Sequence, residues 1–311
     1  MGGIDKELLE GLRGVAEVRL DESLSRHTTF GIGGPADIYA IAKDADELRR
    51  LVALCNRSQT PFFILGAGSN VLVSDKGIRG VTIENRARGL DGPMDNQNGS
   101  AVFRAESGTS IAALARHLCR KGFAGLEWAG GIPGTTGGAV VYNAGAYDGS
   151  MATVLKSVRM VSKDGLQYEL AVEELGLGYR ESAFTRKLFE GHVILSADLV
   201  LQPADPGELA QRLIEMDRDR QASQPRGRSA GSIFKNTREY PAWWLVDQVG
   251  LRGHRHGDAE ISTMHPNFIL NVGRAKASDV MALIGLARGR VEEEFSVKLV
   301  PEVAFVGEEL R

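Results

Sequence analysis

The stretch that decides the fold is "PADIYAIAKDADELRRLVALCNRSQTPFFIL", residues 35–65. Residues 35–42 have the composition of a β-strand, and residues 61–65 form a second short apolar strand. Between them, Asp44 is placed as an N-cap, Glu47 completes a capping box, and apolar residues recur at helical spacing. A strand, a helix and a strand within about 30 residues form a βαβ unit, so part of the sheet is expected to be parallel.

Mixed patterns continue along the chain. A second helix is predicted from about Thr109 to Gly122, and a third begins with Asp205 as its N-cap. The segments "AVFRAES", "KSVRMVS", "LQYEL" and "HVILSADLVL" have the alternation or β-branched content of strands. After them come a helix beginning at Pro241, the strand "PNFILN", a long helix and the closing strand "KLVPEVAFVG". The chain is therefore expected to mix α and β structure, with a domain boundary near Asp205.

The length, composition and net charge of the chain exclude several classes of protein. The 311 residues suffice for about two domains, and 43% hydrophobic with 25% charged residues is typical of a folded globular chain. A formal net charge of −3 gives no general field to attract nucleic acid or anionic lipid. We therefore expect no nucleic-acid partner, and any phosphate ligand must be held locally.

The sequence also predicts a cytoplasmic protein. The N-terminal "MGGIDKELLEGLRG" lacks the apolar core of a signal peptide, and no apolar run is long enough for a membrane helix. Cys55 and Cys119 fall on the apolar faces of predicted helices, which favours core packing in a reducing compartment. No Cys/His cluster suggests a metal, so none is expected.

A first glycine loop follows the βαβ unit in "FFILGAGSNVLVSD". Gly66 and Gly68 form a G-x-G turn, but Val71 stands where a dinucleotide-binding fold of the Rossmann type needs a third glycine. The following "VLV" favours a strand over the helix of that fold. Either an anion-binding nest of successive N–H groups or a plain connecting turn fits this stretch.

A second loop, "AGGIPGTTGGAVVYNAGAYDG" at residues 129–149, contains seven glycines. Such density is expected where the backbone approaches a ligand closely or takes positive φ repeatedly, although a long connecting loop is the simpler alternative. Thr135 and Thr136 add hydroxyl groups that can bind phosphate, and Pro133 stiffens the entry. Two such loops suggest an elongated dinucleotide held by backbone N–H groups.

The segment "SAGSIFKN", residues 229–236, raises the question of what Ser232 does. A hydroxyl there can serve as a nucleophile, a proton donor, a ligand contact or a partner for nearby backbone. The segment lacks the G-x-S-x-G elbow of hydrolases, and no histidine is tied to it by sequence, which argues against the nucleophile.

Seven motifs taken together resemble a known family. They are "HTTFGIGGPAD", "LGAGSNVLVSD", "GLEWAGGIPGTTGGAVVYNAGAY", "YRESAF", "AGSIFKN", "HPNFILN" and "LVPEVAFVGE", which run in order from about residue 26 to residue 308. This succession resembles the bacterial UDP-N-acetylenolpyruvoylglucosamine reductases, in their shorter class without the insert that carries a substrate-closing tyrosine. Thr237, where the family usually has proline, and Val300, before "PEV", are departures from its pattern.

The resemblance implies an α+β fold, with a vanillyl-alcohol-oxidase-like (PCMH-type) FAD-binding domain in two α/β subdomains and a C-terminal α+β substrate-binding domain. The expected bounds are 1–84 and 85–204 for the two FAD-binding subdomains, and 205–311 for the substrate-binding domain. It also implies non-covalent FAD, NADPH as reductant and the nucleotide sugar UDP-N-acetylglucosamine enolpyruvate as substrate, reduced to UDP-N-acetylmuramate. A monomer without a membrane partner is expected.

The chemistry needs positive charge for the developing dianion and a proton donor for the substrate α-carbon. By resemblance the catalytic set is Arg180 in "YRESAF", Ser232 in "AGSIF" and Glu302 in "PEV". Outside the family pattern, an arginine after tyrosine or a glutamate at a strand end is more often a surface residue.

The remaining site residues are carried over by position. Those expected to bind FAD are Gly66, Ala67, Gly68, Ser69, Asn70, Gly131, Ile132, Pro133, Gly134, Thr135, Thr136, Gly138, Ala144 and Gly145. Those expected to bind substrate are Tyr147, Arg220, Asn236 and His265. Arg220 suits a diphosphate because its planar fork binds phosphate oxygens bidentately, although "MDRDRQ" is equally typical of a charged helix face. His265 is as readily a histidine in the turn before Pro266.

Two other functions fit parts of the sequence. A flavin oxidase or dehydrogenase on the same flavin domain predicts FAD without a response to the nucleotide sugar. A non-catalytic nucleotide-sugar binding protein predicts ligand binding without flavin.

Overall fold

The computed structural model describes residues 5–95 and 99–308. Its helices are Lys6–Arg13 (α1), Ala45–Arg57 (α2), Ile111–Arg120 (α3), Thr136–Val141 (α4), Met151–Val154 (α5), Pro206–Ser223 (α6), Ala242–Gln248 (α7) and Ala277–Phe295 (α8). Its strands are Glu17–Ser23 (β1), Pro35–Ala42 (β2), Phe62–Leu65 (β3), Val71–Val73 (β4), Ile78–Asn85 (β5), Leu90–Asp95 (β6), Ala101–Glu106 (β7), Phe123–Ala124 (β8), Gly145–Ala146 (β9), Gly149–Ser150 (β10), Leu155–Val161 (β11), Gln167–Ala171 (β12), Val193–Pro203 (β13), Arg255–His256 (β14), Ala259–Ile261 (β15), Ile269–Asn271 (β16) and Ala304–Val306 (β17).

Contacts divide the chain into two compact units built from separate segments. Unit 1 comprises Met1–Leu20, Ile38–Gly66 and Gly80–Asp219, and unit 2 comprises Asp21–Asp37, Ala67–Arg79 and Arg220–Arg311. The three consecutive domains expected from the sequence stay a prediction, and their terminal residues 1–4 and 309–311 lie outside the described residues.

The strand, helix and strand predicted from the opening stretch are present as β2, α2 and β3. The Asp44 carboxylate accepts the N–H of Glu47 at 2.8 Å, and the Glu47 carboxylate accepts the N–H of Lys43 at 2.8 Å. These bonds satisfy N–H groups that lack partners at a helix start, so α2 begins at Ala45. Strands β3 and β5 pair in parallel within a sheet of order β1-β2-β5-β3.

Helix α2 buries its predicted apolar stripe against α1 and this sheet. The buried members of this cluster from α1 and α2 are Leu8, Leu12, Leu48, Leu51, Val52 and Cys55. Burying side chains of this size is worth about 1.5–3 kcal/mol each, which fixes the face that α2 presents to the sheet.

An antiparallel sheet forms the second half of unit 1. Its order is β12-β11-β13-β7-β6, with β8 pairing to β13. Helix α3 begins at Ile111, two residues after the predicted start, because Ser110 is its N-cap and accepts the N–H of Ala113 at 3.4 Å. The apolar face of α3 packs on this sheet in one buried cluster.

Unit 2 contains its own core. Helices α7 and α8 pack with the three-stranded sheet β14-β15-β16, and β17 pairs in parallel with β4. The closing strand is shorter than predicted, since Pro301 makes only an isolated bridge with Phe234 before β17 begins at Ala304. The strand predicted over 266–271 is also shorter and begins at Ile269.

Candidate active site

Ser232 lies in unit 2 on an extended segment that is paired on both sides. It forms an isolated β-bridge with Phe268, and the N–H of Ile233 donates to the carbonyl of Asn267 at 2.8 Å. On the other side, the N–H of Glu302 donates to the carbonyl of Ile233 at 2.8 Å. Ser232 and Glu302 are both half-buried. The fold therefore brings two of the three predicted catalytic residues, Ser232 and Glu302, onto adjacent segments. Glu302 lies opposite Ile233, one position after Ser232.

Asn267 is a residue that the sequence predictions missed. Its Nδ2 donates to the carbonyl of Phe234 at 2.8 Å, and its Oδ1 accepts the N–H of Phe234 at 2.9 Å. Asn267 is 3% exposed, so these bonds are shielded from water. They hold the chain just after Ser232 as a strand partner would. The sequence signal was one of the two asparagines in the largely apolar motif "HPNFILN".

The first glycine loop supports the Glu302 segment within unit 2. The Asn70 Nδ2 donates to the carbonyl of Glu302 at 3.3 Å, and the Asn70 carbonyl accepts the N–H of Ala304 at 3.0 Å. Gly68 has φ +62°, and a Cβ there would collide with the carbonyl of His27. Glycine is therefore required at position 68 by the fold itself, and β4 follows the loop as predicted.

Arg180 lies in unit 1 against the segment that follows α4. It has φ +52°, a backbone conformation that is uncommon for residues other than glycine. Its guanidinium donates to the carbonyl of Gly145 at 2.7 Å and to that of Asn143 at 3.5 Å, and it lies over the ring of Tyr179. These bonds place the predicted catalytic arginine beside Gly145, which is predicted to contact FAD.

Asn143 organises this region and was also missed by the sequence predictions. Its Nδ2 donates to the carbonyl of Gly178 at 2.8 Å, and its Oδ1 accepts the N–H of Ala152 at 3.0 Å. The residue is 7% exposed and has φ +41°. Asparagine tolerates this conformation better than most residues, which is the signal that "YNAGAY" offered.

The second glycine loop offers backbone donors to a ligand. Among the described residues, the N–H groups of Gly131, Gly134 and Thr135 have no hydrogen-bond acceptor. Gly134 has φ +148°, and Gly138 is exposed, with a Cβ there meeting only Thr135 Oγ1 at 3.5 Å. Unbonded N–H groups in a glycine-rich turn, two of them on the adjacent residues Gly134 and Thr135, suit the diphosphate of a dinucleotide, so these residues fit FAD.

Other parts of this loop serve the fold instead. Thr136 is fully buried and its hydroxyl donates to the carbonyl of Thr109 at 3.1 Å, while Thr135 Oγ1 accepts the N–H of Gly138 at 3.3 Å. A Cβ on Gly145 would lie 2.5 Å from the carbonyl of Gly149. Close packing inside the protein therefore accounts for part of the glycine density that the sequence suggested was for a ligand.

Gly66, at the start of the first glycine loop, lies in unit 1 against the second loop. A Cβ on Gly66 would lie 2.7 Å from Thr135 Oγ1, so the end of β3 lies directly against the start of α4. Ala67, Ser69 and Asn70 belong to unit 2, and the predicted FAD residues from 131 to 145 belong to unit 1.

The predicted substrate residues have varied surroundings. Tyr147 Oη donates to the carbonyl of Met216 at 2.8 Å, and Arg220 on α6 donates to Gln224 Oε1 at 3.2 Å. Asn236 is exposed, and its Oδ1 accepts the N–H of Ala242 at 3.0 Å, where α7 begins.

His265 is packed more like a structural histidine. Its Nδ1 accepts the N–H of Asn267 at 3.3 Å, and its ring contacts Phe268 edge-on with centroids 4.9 Å apart. Burial lowers the pKa of His265, and the nearby charge of Arg252 lowers it further. Arg252 also donates to the carbonyl of Thr263 at 2.6 Å, which fixes the turn before His265.

The thiols have the environment that the sequence predicted. Cys55 and Cys119 are free and buried, and burial raises their pKa values to about 12 and about 11. Both are packing residues without thiolate reactivity at neutral pH. Within residues 5–95 and 99–308, no helix has the length and apolar content needed to cross a membrane. The same residues contain no group of three or more His, Cys, Asp or Glu side chains placed to hold a metal ion.

Comparison with known proteins identifies both parts of the chain. Residues 36–171 match the FAD binding domain, and residues 222–306 match the C-terminal domain of UDP-N-acetylenolpyruvoylglucosamine reductase. The predicted α+β fold, with an FAD-binding domain followed by a C-terminal domain, is confirmed.

Full-length relatives agree with these matches. The UDP-N-acetylenolpyruvoylglucosamine reductase of Lachnoclostridium phytofermentans is 37% identical over 100% of this chain and 99% of its own length. That of Alkaliphilus oremlandii is 40% identical over 94% of each chain. The crystal structure of the reductase from Thermus caldophilus superposes with a TM-score of 0.75 at 36% identity, covering 94% of this chain and 98% of that one. The chain belongs to the UDP-N-acetylenolpyruvoylglucosamine reductase family.

Proposed function

We propose that this chain reduces the enolpyruvyl ether of UDP-N-acetylglucosamine enolpyruvate to the lactyl ether of UDP-N-acetylmuramate, with non-covalent FAD and NADPH as reductant. Family membership over the whole chain supports the reaction and the flavin. The observation that carries the chemistry is the pairing of Glu302 with Ile233, which sets Glu302 beside the Ser232 segment. Neither an oxidase acting on another substrate nor a non-catalytic binding protein is favoured, because the C-terminal match is specific to this reductase.

The residues expected to hold FAD fit a dinucleotide. The unbonded N–H groups of Gly131, Gly134 and Thr135 can donate to its diphosphate, and the exposed backbone at Gly138 admits close approach. When bound, FAD reduced by NADPH supplies the hydride that the substrate β-carbon receives. The protein's own task is then to stabilise the charge that develops on the substrate and to deliver a proton.

Ser232 is proposed to deliver that proton to the substrate α-carbon. Its bridge to Phe268 and the buried neighbours Ile233 and Phe234 fix the backbone that carries the hydroxyl. A general acid must be held within hydrogen-bond reach of its acceptor, so this rigidity favours efficient transfer. The motif contains no base beside the serine that would make it a nucleophile.

Glu302 assists from the adjacent segment. Its backbone is held by Ile233 on one side and by the Asn70 amide on the other. A carboxylate so fixed can orient a proton source or polarise the group that replenishes the serine proton. Its role is proposed from this placement and from the family motif "PEV".

Arg180 supplies positive charge. Its bonds to Gly145 and Asn143 hold the guanidinium in one orientation, so little reorganisation is needed when charge develops. We assign it to the substrate carboxylate, where negative charge accumulates as the β-carbon receives hydride.

The substrate contacts are proposed at Tyr147, Arg220 and Asn236, with Arg220 on the diphosphate. His265 is retained as a weaker proposal because its Nδ1 and ring already have protein partners. Residues 205–311 are proposed as the substrate-binding domain. We propose that the protein is a monomer and lies in the cytoplasm. Light scattering tests the oligomeric state, and cell fractionation tests the location.

One experiment tests the function. The purified protein is denatured to release any flavin, and NADPH oxidation is then followed with and without UDP-N-acetylglucosamine enolpyruvate. We expect a yellow protein that releases intact FAD and oxidises NADPH rapidly only when the nucleotide sugar is present. A colourless protein, or turnover that ignores the nucleotide sugar, contradicts the proposal.

A further inference from the structure

Most of helix α6 lies in the stretch between the two matched domains, so neither match assigns it a role. As far as Asp219 it belongs to unit 1, the unit that contains the second glycine loop. Its buried residues Leu209 and Leu213 pack with Cys119 of α3 in one apolar cluster. The fold therefore packs α6 against α3, the helix that precedes the loop in sequence.

An arginine of α3 joins α6 to the loop. The Arg116 Nε donates to the carbonyl of Gly130 at 2.8 Å, and its Nη2 donates to both carboxylate oxygens of Asp217, each at 2.8 Å. Arg116 lies on α3 and Asp217 on α6, 101 positions apart. Because the guanidinium is planar, the carboxylate that holds Nη2 also fixes the direction in which Nε points at the loop.

The Gly130–Gly131 peptide is held differently from the peptide before it. The carbonyl of Ala129 accepts the N–H of Ile132 at 3.0 Å, which fixes the preceding peptide through the main chain. The carbonyl of Gly130 is held instead by the Arg116 side chain. The N–H of Gly131 has no acceptor among the described residues. A side chain thus holds the peptide that presents an open donor.

The two ends of one peptide turn together. A peptide is planar, and in the trans form its carbonyl and its N–H point in opposite directions. The bond from Arg116 to the carbonyl of Gly130 therefore also fixes the direction of the Gly131 N–H. Hydrogen bonds in series polarise one another, so a guanidinium on the carbonyl makes the N–H a stronger donor. Because Asp217 balances the arginine charge, the effect on a ligand passes through the peptide rather than through an unbalanced positive charge.

Helix α6 contacts the second glycine loop near its other end as well. Tyr147 Oη donates to the carbonyl of Met216 at 2.8 Å, and Met216 is the residue before Asp217. At the first end, a Cβ on Gly130 would collide with the side chain of Leu213, so the loop backbone lies directly against α6. A single turn of α6 therefore lies against both ends of the loop.

We propose that Arg116 and Asp217 are positioning residues for FAD. Arg116 orients and polarises the Gly130–Gly131 peptide so that the Gly131 N–H is presented to the diphosphate, and Asp217 holds Arg116 in that orientation. Helix α6 is thereby part of the support of the cofactor loop. The proposal rests on the proposed binding of FAD at that loop. Neither residue lies in the seven motifs that carry the family resemblance.

The exposure of the pair separates binding from folding. The side chains of Arg116 and Asp217 are 40% and 28% exposed. Ion pairs with such exposure contribute little to the free energy of unfolding, so their removal is expected to leave the fold intact. A loss of FAD affinity is then not a consequence of unfolding.

Titration of the full-length apoprotein with FAD tests the pair, with binding followed by the change in flavin fluorescence. Arg116→Met keeps the aliphatic stem and removes the guanidinium. We expect it to raise the Kd for FAD at least about tenfold, since a charge-assisted hydrogen bond is lost. Asp217→Ala should raise this Kd about fivefold, because Arg116 then loses its fixed orientation. The Tm of each apoprotein should fall by no more than about 2–4 °C.

The double variant distinguishes an indirect role of Asp217 from a separate one. Because Asp217 acts through Arg116, adding Asp217→Ala to Arg116→Met should change the Kd for FAD by less than about twofold. Arg120→Ala is the matched control, since Arg120 is exposed one turn later on α3. It removes the same charge and should change the Kd by less than about twofold, as an exposed charge is screened.

The proposal is overturned if Arg116→Met binds FAD normally, if the two effects multiply in the double variant, or if Arg120→Ala weakens binding equally. A fall in apoprotein Tm well beyond about 4 °C assigns the pair to folding and overturns it too. A wild-type apoprotein that does not bind FAD overturns the proposed function as well, whereas normal binding by Arg116→Met leaves the proposed function intact. The two failures are therefore distinguishable.

Discussion

The backbone N–H of Glu302 donates to the carbonyl of Ile233 at 2.8 Å, across 69 positions of sequence. The bond uses only main-chain atoms of the glutamate. Its side chain can therefore be changed without removing the pairing that sets it opposite Ile233, the residue after Ser232, so effects on rate and on folding are separable.

The Glu302→Gln variant tests whether the effects on rate and on folding are separable. We expect kcat to fall by about 100-fold or more, within the range typical of groups that assist proton transfer, with Tm and flavin content unchanged. Steady-state kinetics and thermal unfolding of the same preparation measure both. A fall in Tm that parallels the loss of kcat would instead assign Glu302 to stability.

Ser232→Ala removes the proposed proton donor. Reduction of the bound flavin by NADPH is expected to remain intact, whereas its reoxidation by the nucleotide sugar slows by about 100-fold or more. Stopped-flow absorbance resolves the two half-reactions. Ser229→Ala, three residues earlier in the same segment, is the control and should leave both rates near normal. Equal loss of both half-reactions in Ser232→Ala would indicate a structural role.

Arg180→Lys keeps a positive charge but cannot span the carbonyls of Gly145 and Asn143 in the same way. We expect kcat to fall by at least about tenfold, because a preorganised donor is lost. Arg186→Ala breaks an exposed ion pair with Glu181 and should change kcat little. Similar kinetics for both variants would remove Arg180 from the catalytic set.

Gly134→Ala tests the second glycine loop. Position 134 has φ +148°, so alanine is strained there by about 1–3 kcal/mol and the loop must shift. We expect a lower affinity for FAD, measured by flavin fluorescence during reconstitution. In contrast, a Cβ on Gly285 in α8 meets no atom within 4 Å, and Gly285→Ala should raise the free energy of unfolding by about 0.5–1 kcal/mol. Unchanged FAD affinity in Gly134→Ala contradicts the assignment.

The pH dependence of stability follows from His265. Burial lowers its pKa in the folded state below the ordinary value of 6.5, so the unfolded chain takes up a proton first as the pH falls. The contribution of His265 to the free energy of unfolding should therefore be largest above pH 6.5. It should decrease as the pH falls from 6.5 towards the pKa of the folded state. Urea unfolding at several pH values measures the slope. His265→Gln should flatten it, and an unchanged slope would exclude this histidine.

Local patterns predicted the elements whose signals lie close together in sequence. Asp44 and Glu47 predicted the start of α2, and the "VLV" after the first glycine loop predicted β4. Helix α1 was not predicted, although Asp5 accepts the N–H of Glu7 at 3.0 Å as its N-cap and Leu8 and Leu12 share its buried face. A helix of eight residues offers too few apolar positions to stand out from sequence alone.

The site was predictable only in part. Family resemblance placed Ser232, Arg180 and Glu302, whose roles stay predictions until tested. Asn267 and Asn143, which hold the backbone around these residues, were not foreseen because a buried asparagine is recognisable only when its partners are known. The same holds for Asn271, whose partners lie up to 241 positions away.

The discontinuous make-up of unit 2 has a consequence for synthesis on the ribosome. Its β4 pairs with β17, more than 200 residues later, and its core combines Phe30 and Leu72 with residues of α8. While the chain is being synthesised, the apolar side chains of the early segments stay exposed, because their packing partners are made last. Contacts across such long loops also form slowly. We expect nascent chains truncated before α8 to need chaperone protection and to be cleaved readily by proteases near residues 21–37 and 67–79, until the last segment is made.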